Sequence, residues 1–250
     1  MPYKIKAQCP LCGEETRELS QPHTQICSVC RNSYEAYSDC QNKHFVCNMC
    51  RQKAVREKII RHCMKSAKEN PFELQRDLMQ IPGVLMHGPE HHLLTTAALL
   101  TAYANKKNRR DLEKLLHEAD RRTIQVPGAA CGFWGVCGAA VGAGVFISIL
   151  TETGPLSTDT WRTTGQLTAK CADVISAQGG PRCCKRDSFL SLRETLQYSN
   201  EILDAGFDVP KKIICEFYVN NRECKGRACE FFPLTQRNTQ TADPVDTETE

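Results

Sequence analysis

Closely spaced cysteines near the start constrain this chain more than any other feature of its sequence. Sixteen of the 250 residues are cysteine, and the first fifty residues hold seven of them among few large aliphatic side chains. A segment this short and this poor in aliphatic side chains cannot bury a conventional core, so it needs another source of stability such as a bound metal ion. No apolar signal-peptide stretch follows the start MPYKIKAQCPLC, so we expect a cytoplasmic protein whose cysteines are metal ligands or redox groups.

Eight candidate metal ligands occur in these first fifty residues. They are Cys9, Cys12, Cys27, Cys30, Cys40, His44, Cys47 and Cys50. Eight such ligands satisfy one or two tetrahedral Zn²⁺ ions, and sets that leave no open position are structural. Sequential pairing would place the first four ligands on one ion and the last four on the other. Interleaved pairing would join Cys27 and Cys30 to Cys47 and Cys50, as in a RING-like cross-brace, and the spacing leaves both pairings open.

The remainder of the chain has the periodicity of a mainly α protein. Apolar spacing predicts helices over 53–64, 72–80, 89–104, 110–121, 137–150, 160–177 and 187–204, and only 212–218 (KIICEFY) resembles a strand. We therefore predict a zinc-ribbon-like module at 1–52, which is small, α+β and metal-stapled, a helical domain at 53–233, and a disordered acidic tail at 234–250. The apolar run at 139–150 is too short to cross a bilayer, so no membrane partner is expected.

Histidines concentrate at the predicted start of the third helix. The segment LMHGPEHH brings together His87, Glu90, His91 and His92, and Pro89 suits a first helical turn. We interpret the cluster as lining a site, where its members act as ligands, acids or bases. The alternative is a hydrogen-bonded helix cap in which the helix dipole favours Glu90.

Two further cysteine pairs lie in unusual surroundings. Cys131 and Cys137 are separated by glycines just before an apolar helix, and Cys183 and Cys184 sit among cations ahead of another. Helix starts and neighbouring cations favour thiolate, so we predict a chemical role for all four cysteines. Arg182 could bind an anionic substrate or cofactor.

A third group of cysteines lies near the end of the helical domain. Cys215, Cys224 and Cys229 provide three thiols within one short segment, which suits a [4Fe–4S] cluster or zinc if a fourth ligand joins them. That ligand could be Cys183, Cys184, Cys131 or Cys137. The two cysteines left over, Cys63 and Cys171, fit apolar helix faces and are predicted to be core residues.

Several of these stretches resemble a cysteine-rich domain family of unknown function found mainly in anaerobic prokaryotes. The resemblance rests on NKHFVCNMC, LMHGPEHH, VPGAACGFWGVCGAAVGAG, GGPRCCKRDSF and CEFYVNNRECKGRAC. The second half is also similar, more loosely, to a redox-active family named for its Cys, Gly-Cys-Ala-x-x-Gly and Cys-Cys elements, although this chain reads Cys-Gly-Ala at the middle element. Both resemblances imply anaerobic redox or metal chemistry.

Together these features predict a redox-active metalloprotein. Structural zinc would hold the N-terminal module, and the helical domain would carry a Cys/His metal, iron–sulfur or dithiol site, as in an oxidoreductase or a sulfur-handling enzyme with a redox or protein partner. The alternative is a non-enzymatic adaptor whose zinc module binds protein or nucleic acid. Residues 1–65 carry 11 Lys and Arg against 6 Asp and Glu, a mildly basic balance that is compatible with nucleic acid but more typical of a solvated surface.

Overall fold

The computed structural model describes residues 9–233, in which a short β-hairpin precedes a series of helices. The elements are β1 (Thr16–Ile26), β2 (Ser33–Cys40), α1 (Asn48–Lys65), α2 (Pro71–Met79), α3 (Glu90–Lys106), α4 (Leu112–Thr123), α5 (Ala130–Phe133), α6 (Gly138–Leu150), α7 (Asp159–Ala177) and α8 (Cys184–Leu203). The fold is therefore mainly α with a small N-terminal sheet, as predicted. The acidic tail predicted at 234–250 lies outside the described residues.

Local sequence signals account for the helix boundaries. Before α2, the side chain of Asn70 accepts hydrogen bonds from Phe72 N at 2.9 Å and Glu73 N at 3.3 Å, and Pro71 occupies the first turn. All seven predicted helices are present. The sequence did not predict α5, a single turn between glycines.

The prediction of a strand at 212–218 is wrong. Residues 217–220 form a 3-10 turn, and the segment before it is irregular. Cys215 N donates to Phe231 O, whereas Phe217 packs against Phe189 of α8. The apolar residues of this segment are buried against helices, and no neighbouring strand within residues 9–233 offers the backbone partners that a strand requires.

The helical domain is built around α3, which packs against α1, α2, α4, α6 and α8. Small and apolar residues on all sides of α3 allow these close contacts. On α6, a Cβ at Gly142 would lie only 2.6 Å from the backbone oxygen of His92, so the two helices approach as closely as glycine permits. Cys63 and Cys171 are fully buried in this core, as predicted.

Helix α1 joins the cysteine-rich module to the helical domain. It begins inside the N-terminal ligand set and continues to Lys65, so the predicted boundary at 52/53 falls within it. Arg56 is buried and donates to Asp120 Oδ1 at 2.6 Å and to Thr123 Oγ1 at 2.7 Å on α4. Within residues 9–233, every helix is too short or too polar to span a lipid bilayer.

Candidate metal and thiol sites

The eight N-terminal ligands form two compact groups. Cys9, Cys12, Cys40 and His44 make one group, and Cys27, Cys30, Cys47 and Cys50 make the other. Within each group the ligand atoms all lie within 4.8 Å of one another, which is the clustering that a single tetrahedral ion requires. The two groups could therefore each hold one metal ion.

The hairpin explains why the pairing is interleaved. Strand β1 carries the chain away from the knuckle at Cys9 and Cys12, and the turn after it holds Cys27 and Cys30. Strand β2 then returns antiparallel, with Cys40 opposite Thr16 at the open end of the hairpin. Sequential pairing would need the two ends of β1 to meet, which an extended strand prevents.

Hydrogen bonds to sulfur support both groups. In the first group, His44 N donates to Cys40 Sγ at 3.3 Å, and His44 Nδ1 lies 3.4 Å from Cys12 Sγ. In the second, Cys47 N donates to Cys27 Sγ at 3.3 Å. Backbone donation from Glu14 lowers the pKa of Cys12 to about 6, which favours the thiolate that binds metal.

A second feature, here called the cavity, lies where the starts of α3, α6 and α8 meet. Its volume is about 300 Å³. The predicted site residues that line it are His87, His91, His92, Cys131, Cys137, Arg182 and Cys184. Residues of α1, including Arg51, close one side, so the cysteine-rich module contributes to its wall.

His91 is held in one orientation on the cavity wall. It is 1% exposed, and its Nδ1 lies 3.0 Å from Gly88 O, a contact that requires a proton on Nδ1. Its Nε2 is then an acceptor, and this buried atom has no hydrogen-bond partner. Burial lowers the pKa of His91 well below its usual value, so the ring is neutral.

Glu90 takes a different position from the other members of the histidine cluster. Its side chain is fully buried, and Oε1 accepts from Leu85 N at 2.8 Å and from Arg51 Nη1 at 3.3 Å. Glu90 therefore lies behind the cavity wall and links α3 to α1. Glu90 therefore does not face the cavity, and its hydrogen bond to Leu85 N lies outside the first turn of α3.

A third feature, here called the four-cysteine pocket, lies on the other side of the start of α8. Its volume is about 20 Å³. It is lined by four cysteines, four aromatic residues, Met86 and five polar or charged residues: Cys183, Cys215, Cys224, Cys229, Phe217, Tyr218, Phe231, Phe232, Met86, Lys185, Arg186, Asn221, Glu223 and Lys225. The fourth thiol beside the three C-terminal cysteines is thus Cys183, one of the four cysteines proposed for that role. None of these sulfurs belongs to a group of three ligand atoms within 4.8 Å among residues 9–233.

Several N–H groups point at the sulfurs of this pocket. Cys183 Sγ accepts from Arg186 N and from Asn221 Nδ2, both at 3.5 Å. Cys224 Sγ accepts from Gly226 N at 3.4 Å. Donors of this kind stabilise negative charge on sulfur and tune metal centres.

The vicinal cysteines therefore face different sites. Cys183 caps α8 and lines the four-cysteine pocket, whereas Cys184 begins α8 and lines the cavity. His87 lies between the two sites. Its Nδ1 accepts from Cys184 N at 3.4 Å, and its Nε2 lies 3.1 Å from Asn221 Oδ1, so the intervening wall is a hydrogen-bonded structure.

Burial outweighs the helix starts in setting the thiol pKa values, contrary to prediction. It raises the pKa of Cys184 to about 12 and also raises that of Cys183 and Cys137. Asp187 adds to this effect, since its carboxylate lies 3.7 Å from Cys137 Sγ. In the absence of a bound cation these three cysteines are thiols, not thiolates.

The sequence counted Lys185 only as a cation beside the vicinal cysteines and gave no role to Asp187 or Asn221. Lys185 and Asp187 are buried in the first turn of α8, where Arg186 pairs with Asp187 at 2.9 Å and Lys185 Nζ lies 4.8 Å from the Phe217 ring centre. Asn221 connects His87 to Cys183. A run of three charged residues directly after two cysteines, in an otherwise amphipathic helix, was the available signal.

Comparison with known proteins assigns the chain to a family without assigning an activity. The model of a family of unknown function, DUF5714, matches residues 59–232. Because this is more than half of the chain, the protein belongs to that family. The match begins within α1, so the N-terminal ligand groups lie outside it. No curated protein and no solved structure matches the chain.

Proposed function

We propose that this member of the DUF5714 family is a redox metalloprotein with an iron–sulfur cluster in its four-cysteine pocket. Zinc in the two N-terminal groups would be structural, because each group is a complete set of four ligands. The observation that carries the proposal is the convergence of four cysteines from separate segments in one largely apolar pocket.

The donor set of the four-cysteine pocket is the one that iron–sulfur clusters use. Four cysteine thiolates are the usual ligands of a [4Fe–4S] core. Hydrogen bonds to Cys183 and Cys224, and an aromatic wall that limits water access, are the means by which proteins adjust cluster potential. Lys185 is buried and lines the pocket; burial lowers its pKa to about 8, and the neighbouring cysteines oppose that shift by favouring the charged amine.

The sulfurs of the four-cysteine pocket are grouped less tightly than the N-terminal ligand atoms, which is compatible with a cluster. The N-terminal ligands lie within 4.8 Å of one another, whereas the sulfurs of the four-cysteine pocket do not form such a group. A cluster holds each thiolate on a different iron, so its ligands stand further apart than those of one ion. The ligand atoms of the N-terminal groups therefore lie closer together than the sulfurs of the four-cysteine pocket.

Metal and sulfide analysis tests this proposal. The full chain, prepared anaerobically, is expected to contain iron and acid-labile sulfide, and Cys215→Ser is expected to contain less of both. Cys171→Ser is the matched control, because Cys171 is a buried cysteine near Ser191 O and Thr195 Oγ1, where a hydroxyl can replace the thiol. A colourless protein with zinc alone, or equal iron in the two variants, would refute the cluster.

A further inference from the structure

The cavity contains a metal-binding nitrogen without a partner. His91 donates from Nδ1 to Gly88 O, and its Nε2 is buried in the cavity wall with a free lone pair. Metal-ligating histidines show this arrangement, since the hydrogen bond at one nitrogen fixes the tautomer and leaves the other for the ion. A buried acceptor with no donor is costly, and a bound cation would remove that cost.

Three thiols line the same cavity from two helix starts and a glycine-rich turn. Cys137 precedes α6, Cys184 begins α8, and Cys131 lies in α5. The positive ends of α6 and α8 stabilise thiolate once a cation displaces the thiol protons. Gly88 N–H donates to Cys184, and Arg186 pairs with Asp187, whose carboxylate lies beside Cys137.

We infer that the cavity binds a second iron–sulfur cluster, ligated by Cys131, Cys137, Cys184 and His91 Nε2. This inference rests on the proposed function in so far as both centres are iron–sulfur, but its ligands are separate. Cysteine thiolates and a histidine nitrogen are ligand types that iron–sulfur clusters use, and the cavity that these four side chains line has a volume of about 300 Å³.

The position of the two centres gives each a distinct role. They would be joined through the Cys183–Cys184 peptide, because Cys183 lines one site and Cys184 lines the other. The cavity has a volume of about 300 Å³, against about 20 Å³ for the four-cysteine pocket, and it is bordered by the exposed side chain of Arg182. The cavity centre is therefore the one that a small anionic substrate could reach, and its histidine ligand would give it the higher reduction potential.

Iron counting with separate ligand variants tests the inference. We expect about eight iron and eight sulfide per anaerobically prepared chain, falling to about four of each in Cys184→Ser and, independently, in Cys215→Ser. Cys171→Ser is the control and keeps the full count. Zinc bound by the N-terminal groups is measured in the same samples and should not change.

The possible outcomes separate this inference from the proposed function. About four iron in the wild type, unchanged in Cys184→Ser but lost in Cys215→Ser, would overturn the second cluster and keep the first. Loss in Cys184→Ser alone would keep the cavity cluster and overturn the four-cysteine site. Zinc in place of iron in the cavity would also overturn the inference.

A second measurement covers variants that fail to fold. His91→Cys keeps four ligands and replaces nitrogen by thiolate, so the cavity centre should remain and its midpoint potential should fall. His117→Cys, at an exposed position of α4, is the matched control and should leave both potentials unchanged. An unchanged potential in His91→Cys would show that His91 is not a ligand.

Discussion

Replacing Gly142 by alanine should separate the two helices that form one side of the cavity. An added Cβ would lie 2.6 Å from the backbone oxygen of His92 and 2.9 Å from Thr96 Oγ1. Because the first of these atoms is backbone, a side-chain rotation cannot relieve the clash and α3 must move away from α6. That movement also strains the hydrogen bond from Thr96 Oγ1 to Gly142 O, which measures 2.8 Å.

The magnitude follows from two opposing effects. Overpacking a buried contact costs about 1–3 kcal/mol, and we expect the upper part of this range because backbone must move. Alanine is favoured over glycine inside a helix by about 1 kcal/mol, which offsets part of that cost. The net expectation is a loss of about 2 kcal/mol in the free energy of unfolding, or roughly 1 M in the urea midpoint.

Urea unfolding followed by circular dichroism measures the effect, with Gly165→Ala as the control. Gly165 lies inside α7, and an added Cβ there meets no atom within 4 Å. The control should therefore gain about 0.5–1 kcal/mol from helix propensity alone. If Gly142→Ala were as stable as Gly165→Ala, the close approach of α3 and α6 would be wrong.

Three further perturbations have definite expected outcomes. Metal chelation should make the hairpin of β1 and β2 sensitive to limited proteolysis, because its candidate ligands hold it in place, while the helical circular dichroism signal persists. Unchanged cleavage would argue against stabilisation by metal. Arg56→Met should lower the free energy of unfolding by about 2–3 kcal/mol, since it leaves Asp120 and Thr123 on α4 without their hydrogen-bond donor. An unchanged melting temperature would contradict this expectation. Burial lowers the pKa of His92 to about 4, so the imidazole in the unfolded chain is protonated at a higher pH than the imidazole in the folded chain. The urea midpoint should therefore decrease from pH 6.5 towards pH 4. His92→Gln should show a shallower decrease, and parallel curves for the two proteins would refute the assignment.

The helical architecture could be predicted from the sequence because its signals are local. Apolar periodicity, Pro71 at a first turn and Asn70 as a cap each act within a few residues. The predicted helices agree with the structure to within one turn, except that α1 begins at Asn48 rather than at residue 53. The exceptions are segments whose conformation depends on distant partners. The apolar run at 212–218 has strand-like composition, but only its packing against α8 decides that it is irregular.

The candidate sites could also be predicted only in part from the sequence. Residue types and short spacings identified the eight N-terminal ligands and the cysteines and histidines of the helical domain. They could not determine which groups share a site, since Cys183 and Cys184 are neighbours in the chain yet face opposite sides of α8. They also missed Asn221, which matters only because the fold brings it to His87.

The sequence by itself therefore determined the helices, the metal-ligand residue types and membership in a class of cysteine-rich proteins. Only the tertiary structure decided the interleaved pairing of the N-terminal ligands, the separation of the vicinal cysteines and the protonation of the buried thiols. The physical reason is range: helix propensity and capping act over a few residues, whereas ligand grouping depends on where strands return and desolvation depends on what packs against each sulfur.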